Sequence, residues 1–232
     1  MALLITNVRF AKKEMYRHGA EKDEEDMSKL LISLGYNVEK HRDLRGAEMD
    51  KAVKRFSKDP LLAATDSVFV VIMSHGVKGA ISGVHHCEGV PDQFPIDNIF
   101  KHLDSAHCPL LEGKPKVIII QACRGDKDGS AIVTDGPGSV PEQAPVVQVD
   151  AALPPHLAEE VDADIEEDAI HRVHIEKDFV SLLSCTADTL SYRDRQQGSY
   201  FIQHLVEIFN LHSRKDHIEN LFKRASHPDR SR

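Results

Sequence analysis

The stretch Val117-Ile118-Ile119-Ile120-Gln121-Ala122-Cys123-Arg124-Gly125 decides the fold of this chain. Its first four residues are apolar and β-branched and follow Lys114-Pro115-Lys116, so they predict a short strand that is buried on both faces. Cys123 then lies at the carboxyl end of that strand. Ligands of open parallel sheets bind in the crevice beyond the carboxyl ends of the strands, so a thiol at this position is well placed to react.

A second apolar run delivers a histidine in the same way. Residues 66–73 read Asp-Ser-Val-Phe-Val-Val-Ile-Met and end in Ser74-His75-Gly76, 48 residues before Cys123. This run also predicts a buried strand. One strand end therefore offers a nucleophile and another offers a base.

The rest of the chain alternates between strand and helix patterns. Apolar residues at helical spacing predict helices over residues 21–34, 48–56 and 95–103, and two more helices after residue 200. Further strands are predicted over residues 3–8, 36–42 and 179–185, and a small hairpin over 79–91. This alternation predicts an α/β fold: a doubly wound, mostly parallel sheet of five main strands, flanked by helices.

Charge is unevenly distributed along the 232 residues. The chain has 37 acidic and 29 basic residues, a net charge of -8, but residues 126–168 alone hold twelve acidic residues against one lysine, together with five of the eleven prolines. A segment of this composition cannot bury enough apolar surface to fold, so we expect a mobile linker. It separates a large catalytic region over residues 1–125 from a smaller region over 169–232.

The overall composition is that of an ordinary globular protein, with 41% hydrophobic and 28% charged residues. Outside the acidic segment the chain is nearly neutral, which gives no reason to expect nucleic acid or a membrane surface as partner. No membrane span or signal peptide is recognisable. Four cysteines without a CxxC pair favour a reducing compartment, so we expect a cytoplasmic, cytosolic protein.

The two strand-end motifs point to a family. Gln121-Ala122-Cys123-Arg124-Gly125, with Ser74-His75-Gly76 upstream, resembles the known signature of the caspases. The resemblance continues through Arg17-His18-Gly19-Ala20-Glu21 and residues 174–179, and it is strongest to the inflammatory branch. It implies the caspase fold, whose sheet has six main strands. This sequence ends in a polar tail with no sixth strand, so we expect a small-subunit-like region that is truncated at its C-terminus.

The resemblance also implies which residues act. Cys123 would be the nucleophile and His75 its base, since a neutral thiol needs an imidazole to take its proton. The backbone N–H groups of Cys123 and Gly76 would stabilise the oxyanion. The other implied positions are a carboxylate pocket of Arg17, Gln121 and Arg193, a neighbouring subsite of Leu190, Ser191 and Tyr192, and processing sites at Asp135 and Asp168.

The implied function is that of an aspartate-specific cysteine endopeptidase, because paired guanidinium groups fit a carboxylate. Its implied substrates are cytokine precursors and a gasdermin, cleaved in inflammation and pyroptotic cell death. The family forms homodimers of large and small subunit pairs and needs no cofactor. In the family the sixth strand pairs with its copy across the dimer, so without it we expect this chain to be mainly monomeric or prone to aggregation, and weakly active. Recruitment by an inflammasome adaptor would require a prodomain, which we do not expect in this chain.

Other interpretations stay open from the residues alone. An isolated strand-end cysteine is usually a small buried hydrophobe, and an isolated arginine is usually a solvated charge. The expected lack of a sixth strand favours an alternative function, a truncated caspase-like regulatory or decoy protein with little proteolytic activity. His85-His86-Cys87 and His107-Cys108 have the composition of metal ligands but not the spacing of a zinc site, so no metal is predicted.

Overall fold

The structure, a computed structural model, describes residues 1–77, 79–87, 89–122, 130–131, 147–150, 178–183 and 191–226. For residues 130–131, 147–150 and 191–193 it describes the backbone alone. The central sheet has five parallel strands: β1 (Ala2–Thr6), β2 (Val38–Arg42), β3 (Val68–Met73), β7 (Lys116–Gln121) and β10 (Phe179–Leu183). Their spatial order is β10-β7-β3-β1-β2. The fold class predicted from the sequence is confirmed.

The strand order reverses direction between β1 and β3, because β2 lies on one side of β1 and all later strands lie on the other. The two strands end level, since Thr6 of β1 lies opposite Met73 of β3. Met73 in turn lies opposite Gln121, the last residue of β7. Three strands therefore deliver the segments that follow them to one crevice, at the position where doubly wound proteins bind ligands.

Alternate residues of the strands face two helical layers, as the two-residue period of a strand requires. One face of the sheet packs against helices α2 (Gly46–Phe56) and α3 (Asp97–Leu103). The other face packs against α1 (Ala20–Ser33), α4 (Tyr200–His212) and α5 (Ile218–Ser226). Helices α1 and α4 contact each other on this second face, so the start and the end of the chain share one core.

Two small antiparallel sheets lie beside the main one. The first is formed by β4 (Gly76–Val77), β5 (Ala80–Ser82) and β6 (Gln93–Pro95), and begins directly after His75. The second is formed by β8 (Ser130–Ala131), β9 (Val147–Asp150), β11 (Ser191–Asp194) and β12 (Gly198–Ser199), in the order β12-β11-β9-β8. Two of these strands, β8 and β9, lie within the acidic segment that composition alone describes as a linker.

Several element ends differ from the predicted ones for identifiable reasons. Strand β1 ends at Thr6, and the next side chain, that of Asn7, bonds to Leu44 O in the loop after β2 and to Ser82 O in β5. Strand β2 begins at Val38 because the backbone N–H of Tyr36 bonds to Leu31 O and closes the end of α1. Helix α3 begins at Asp97 because Pro95 still pairs with Ala80 in the hairpin sheet. Among the described residues, no helix is long and apolar enough to cross a membrane.

Candidate active site

Arg17 lies in the loop after β1 and points into the crevice. It is only 1% exposed. Its Nη1 donates to the carbonyl oxygen of Asn7 at 2.8 Å, and its Nη2 donates to Oε1 of Gln121 at 2.8 Å. Gln121 is itself 2% exposed and lies two residues before Cys123. The guanidinium is therefore held in one orientation, away from water, beside the end of the strand that leads to the cysteine.

Asn7 is a polar residue at the centre of this crevice and is fully buried. Its Nδ2 donates to the carbonyl oxygens of Leu44 and Ser82, each at 3.1 Å, and lies 3.2 Å from Oγ of Ser74. Its Oδ1 accepts the N–H of Leu44 at 2.8 Å. One amide thus joins the ends of β1 and β3, the loop after β2 and strand β5, and it supports the residue directly before His75.

His75 is partly buried and its ring has a defined orientation. Nε2 lies 2.9 Å from the carbonyl oxygen of Met15, the last residue of a short 3-10 helix between β1 and α1. A carbonyl oxygen can only accept, so Nε2 carries the hydrogen and Nδ1 has the lone pair that can take a proton. The ring of Phe10 packs against the imidazole, with 4.8 Å between ring centroids. These contacts hold the histidine in the tautomer that a general base needs.

Gly76 follows the histidine as the first residue of β4 and is buried. The hairpin sheet fixes the backbone on both sides of it. Gly76 pairs with Ile81, and the N–H of Ser82 donates to the carbonyl oxygen of His75 at 2.9 Å. The backbone beside His75 therefore has little freedom, which suits a group that is required to stabilise developing charge without reorganising.

A close contact brings the strand that carries Arg193 against the loop that carries Arg17. Gly19 has a φ of 89°, and a Cβ at this position would collide with the carbonyl oxygen of Asp194. Only glycine allows both the backbone angle and the approach. Because Asp194 is the neighbour of Arg193 in β11, both arginines belong to segments that meet at this contact.

A buried carboxylate holds the same two segments together. Asp23, in the first turn of α1, is 1% exposed and accepts hydrogen bonds from the backbone N–H of Ser199 at 2.7 Å and from its Oγ at 3.0 Å. Ser199 lies opposite Arg193 in the sheet. Asp23 therefore ties the N-terminus of α1, which begins three residues after Arg17, to the strand pair that carries Arg193.

The remaining predicted site residues are only partly described. Arg193, Tyr192 and Ser191 lie together in β11, described by backbone alone. Cys123, Leu190, Asp135 and Asp168 lie outside the described residues. Gln121 and Ala122 are described and buried, so the chain is followed up to the residue before Cys123.

Cys108 contrasts with the predicted nucleophile. It is 1% exposed, its Sγ donates to the carbonyl oxygen of Ser57 at 3.0 Å, and burial raises the pKa of the thiol. A thiol of this kind is a structural residue, because it is neither accessible nor easily ionised. In the part of the chain that the structure describes, no three histidine, cysteine or acidic side chains are placed to hold a metal ion.

Three residues of this arrangement were not predicted from the sequence: Asn7, Met15 and Asp23. Met15 acts through its backbone and leaves no signal in the sequence. Asn7 interrupts an apolar strand pattern, which is a weak signal. Asp23 lies on the buried stripe of α1, three residues after Ala20 and four before Met27, so an acid on the apolar face was the sign that could have revealed it.

Taken together, the strand order, the oriented histidine and the cysteine motif beyond β7 place the protein in the class of α/β proteins that resemble cysteine peptidases. Within that class, the chain belongs to the caspase family, since the family model described as "Caspase domain" matches residues 1–228. The resemblance inferred from the sequence is confirmed.

Individual relatives agree with this assignment. The chain is 44% identical to caspase a of Danio rerio over 235 residues, covering 99% of this chain and 55% of the relative. It is 38% identical to caspase-1 of Sus scrofa over 225 residues, covering 97% of this chain and 52% of the relative. The chain thus spans about half the length of these relatives. The crystal structure of caspase-1 from Spodoptera frugiperda superposes on this chain with a TM-score of 0.66 at 23% sequence identity. The superposition covers 95% of this chain and 72% of the caspase-1 chain, and at this identity it supports the fold alone.

Proposed function

We propose that this protein is an aspartate-specific cysteine endopeptidase of the inflammatory caspase type. The observation that carries the proposal is the buried Arg17 guanidinium, fixed by Asn7 and Gln121 beside the strand end that leads to Cys123. A preorganised, buried guanidinium binds a carboxylate through its planar fork. Such a pocket, placed next to a nucleophile, selects a substrate with a carboxylate side chain at the bond to be cut.

In this mechanism His75 is the general base. Nδ1 of His75 takes the proton of the Cys123 thiol, while Met15 O holds the imidazole through Nε2–H. The thiolate attacks the main-chain carbonyl carbon of the substrate aspartate, and the carbonyl oxygen becomes negative. The backbone N–H groups of Cys123 and Gly76 stabilise this oxyanion, and each such donor typically contributes about 2.7–4 kcal/mol.

Two further steps complete the cycle. His75 returns its proton to the leaving amine as the peptide bond breaks, which leaves a thioester between Cys123 and the substrate. A water molecule then gives a proton to His75 and attacks the thioester. The products are a carboxylate and the regenerated thiol, so the enzyme returns to its starting state.

Specificity depends on residues from both ends of the chain. Arg193 would add a second guanidinium to the pocket of Arg17 and Gln121, and the contact of Gly19 with Asp194 supports this by bringing the two segments together. Tyr192, Ser191 and Leu190 would line the neighbouring subsite. Two guanidinium groups in a fitted pocket favour aspartate over the longer glutamate.

The proposal includes processing and assembly in the manner of the family. Cleavage at Asp135 and Asp168 would divide the chain into a large fragment and a small fragment on either side of segment 126–168. The fragments would stay associated, since α1 and α4 share one core. We extend the proposal to a cytosolic enzyme that acts on cytokine precursors and a gasdermin in inflammation and pyroptosis.

Labelling with an aspartyl fluoromethylketone tests the proposed activity directly. We expect covalent labelling of the wild-type protein at Cys123, and none in the Cys123→Ala variant. The matched control is Cys108→Ala, which removes a buried structural thiol and should label normally. His75→Ala should reduce turnover of an acetyl-Asp reporter by several orders of magnitude, because nucleophile and base act as a unit.

Two results would contradict the proposal. One is an unlabelled Cys123 in a folded wild-type protein, which would favour a binding role without cleavage. The other is equal turnover of reporters that differ only in having glutamate in place of aspartate, which would show that the carboxylate pocket is wrongly assigned.

A further inference from the structure

Asp43 directly follows β2, beside the crevice, and has an unusual backbone conformation. Among the described residues it is the one non-glycine residue with a positive φ, at 58°. Aspartate and asparagine tolerate this left-handed conformation better than most residues do, but it still costs free energy. A strained residue at the rim of a proposed site needs a physical explanation.

The carboxylate of Asp43 accepts hydrogen bonds from two consecutive peptide groups. Its Oδ1 accepts the N–H of Val8 at 2.7 Å and the N–H of Arg9 at 2.8 Å. The N–H of Asp43 itself donates to the carbonyl oxygen of Thr6 at 3.0 Å. The strained residue therefore holds segment 6–9 through both its backbone and its side chain.

The carbonyl oxygens of the same two peptide groups are bonded to Arg17. In the first group, Asn7 O accepts a hydrogen bond from Nη1 of Arg17 at 2.8 Å. In the second, Val8 O accepts the backbone N–H of Arg17 at 2.9 Å. Each peptide group therefore has Asp43 at its N–H and Arg17 at its carbonyl oxygen, so the carboxylate and the arginine are connected by two parallel bridges.

Hydrogen bonds at the two ends of one peptide group reinforce each other. A peptide group that donates to a carboxylate becomes a better acceptor at its own carbonyl oxygen, because hydrogen bonds in a chain polarise one another. Bonds to an ionised acceptor are also stronger than bonds between neutral groups. Asp43 thus fixes the direction of both carbonyl oxygens that hold Arg17.

We propose that Asp43 is a positioning residue of the carboxylate pocket, and that it holds the guanidinium of Arg17 in the direction that binds the substrate aspartate. The inference rests on the proposed function, since it concerns the same pocket. Asp43 acts on substrate binding, because its bridges lead to the arginine. Loss of its carboxylate should therefore raise KM for an aspartate reporter.

The general base is anchored by other contacts. The N–H of Ala11 donates to the carbonyl oxygen of Val84 at 2.7 Å, and Phe10 is only 3% exposed. The ring of Phe10 is therefore held against the imidazole of His75 without help from Asp43. For this reason kcat should stay nearly unchanged when the carboxylate is removed.

Two variants at position 43 separate the acceptor oxygen from the backbone conformation. Asp43→Gly removes the carboxylate but suits a positive φ, so its defect reports the lost hydrogen bonds. We expect KM to rise about tenfold, the effect of roughly one hydrogen bond. Asp43→Asn keeps an oxygen that can accept both N–H groups and tolerates the same φ, so its KM should stay within about threefold of wild type.

Asp59 provides a matched control at the opposite end of the sheet. Its Oδ1 accepts the backbone N–H of Leu61 at 2.8 Å, at the start of a short 3-10 helix that precedes β3. Asp59→Gly removes a carboxylate that also holds a backbone N–H, so it should lower Tm and leave KM unchanged. If Asp43→Gly also lowered Tm without raising KM, its role would be structural and the proposal would be overturned.

Chemical labelling gives a measurement that does not depend on turnover. An aspartyl fluoromethylketone uses the carboxylate pocket, whereas iodoacetamide reacts with a thiolate and carries no carboxylate. In Asp43→Gly, the fluoromethylketone should label Cys123 about tenfold more slowly than in wild type, a change equal to that expected for KM. Iodoacetamide, followed at Cys123 by mass spectrometry, should react at the wild-type rate. Equal slowing of both reagents would place the defect at the thiol and overturn the proposal.

The wild-type protein in the same assays distinguishes failure of the inference from failure of the proposed function. If wild type cleaves the reporter but Asp43→Gly matches its KM, or Asp43→Asn is as impaired as Asp43→Gly, this inference alone is wrong. If wild type neither cleaves the reporter nor reacts with the fluoromethylketone, the proposed function is wrong and the inference falls with it.

Discussion

Replacing Gln121 by glutamate tests the carboxylate pocket with almost no change in shape. The side-chain oxygen of Gln121 accepts a hydrogen bond from Nη2 of Arg17 at 2.8 Å, and both side chains are at most 2% exposed. In the Gln121→Glu variant a carboxylate occupies the position of the amide. It forms an ion pair with the same guanidinium, which then has an internal partner that competes with substrate.

The expected loss follows from the distances. Two unit charges about 4 Å apart at an effective dielectric constant near 20 interact by about 4 kcal/mol. A substrate carboxylate on Arg17 would lie at a comparable or slightly larger distance from the carboxylate introduced at position 121, so the repulsion is roughly 3–4 kcal/mol. Since about 1.4 kcal/mol is a factor of ten, kcat/KM for an aspartate reporter should fall between about a hundredfold and a thousandfold.

The assay compares kcat/KM of the wild-type protein, Gln121→Glu and a neutral control, Gln121→Met. The methionine variant removes the same hydrogen bond without adding a charge, so the difference between the two variants isolates the electrostatic effect. Thermal unfolding should show that Gln121→Glu is folded. If a folded Gln121→Glu variant kept kcat/KM within about threefold of wild type, Arg17 would not bind the substrate carboxylate.

Two further predictions concern the frame around the site. Asp23→Ala should lower the free energy of unfolding by about 2–4 kcal/mol, because it leaves the buried N–H of Ser199 without its acceptor. Asp23→Asn keeps an oxygen that accepts from this N–H, and its amide can donate to Oγ of Ser199, so it should recover most of the loss. Urea unfolding measures both variants, and equal losses would contradict this prediction. Burial alone would raise the pKa of Asp50, but hydrogen bonds from His102 and Asn98 outweigh it and hold the pKa below its usual value. The ionised carboxylate of Asp50 therefore stabilises the folded state above about pH 4, and this contribution is lost as the pH falls through the lowered pKa. The stability difference between wild type and Asp50→Asn should therefore shrink from pH 6 to pH 3, and a constant difference would contradict it.

The sequence alone determined the sheet and the positions of the polar residues at its edge. Runs 117–120 and 66–73 are apolar almost without interruption, and strands buried on both faces have that pattern. His75 and Gln121 could therefore be assigned to neighbouring strand ends, and the motifs around them identified the family. Local patterns suffice for such statements because they depend only on which face of an element is buried.

The contacts that orient the site were decided by the tertiary structure. Arg17 is polar and lies in a loop, and its burial depends on Asn7 and on Gln121, 104 residues away. Asp23 lies in the acidic run Glu21-Lys22-Asp23-Glu24-Glu25-Asp26, where composition predicts a solvated charge, yet it bonds to Ser199, 176 residues away. No local pattern encodes a partner at that separation, because it depends on how helices pack against a shared sheet.

In segment 126–168, too, the sequence determines one property and the tertiary structure decides another. Its acidic and proline-rich composition means that it can bury little apolar surface, and this property follows from the sequence alone. The pairing of Val147–Asp150 with β11 is a matter of backbone hydrogen bonding to a strand that is distant in the chain. A strand edge can pair with any extended segment that reaches it, so only the tertiary structure decides which segment lies there and in which register.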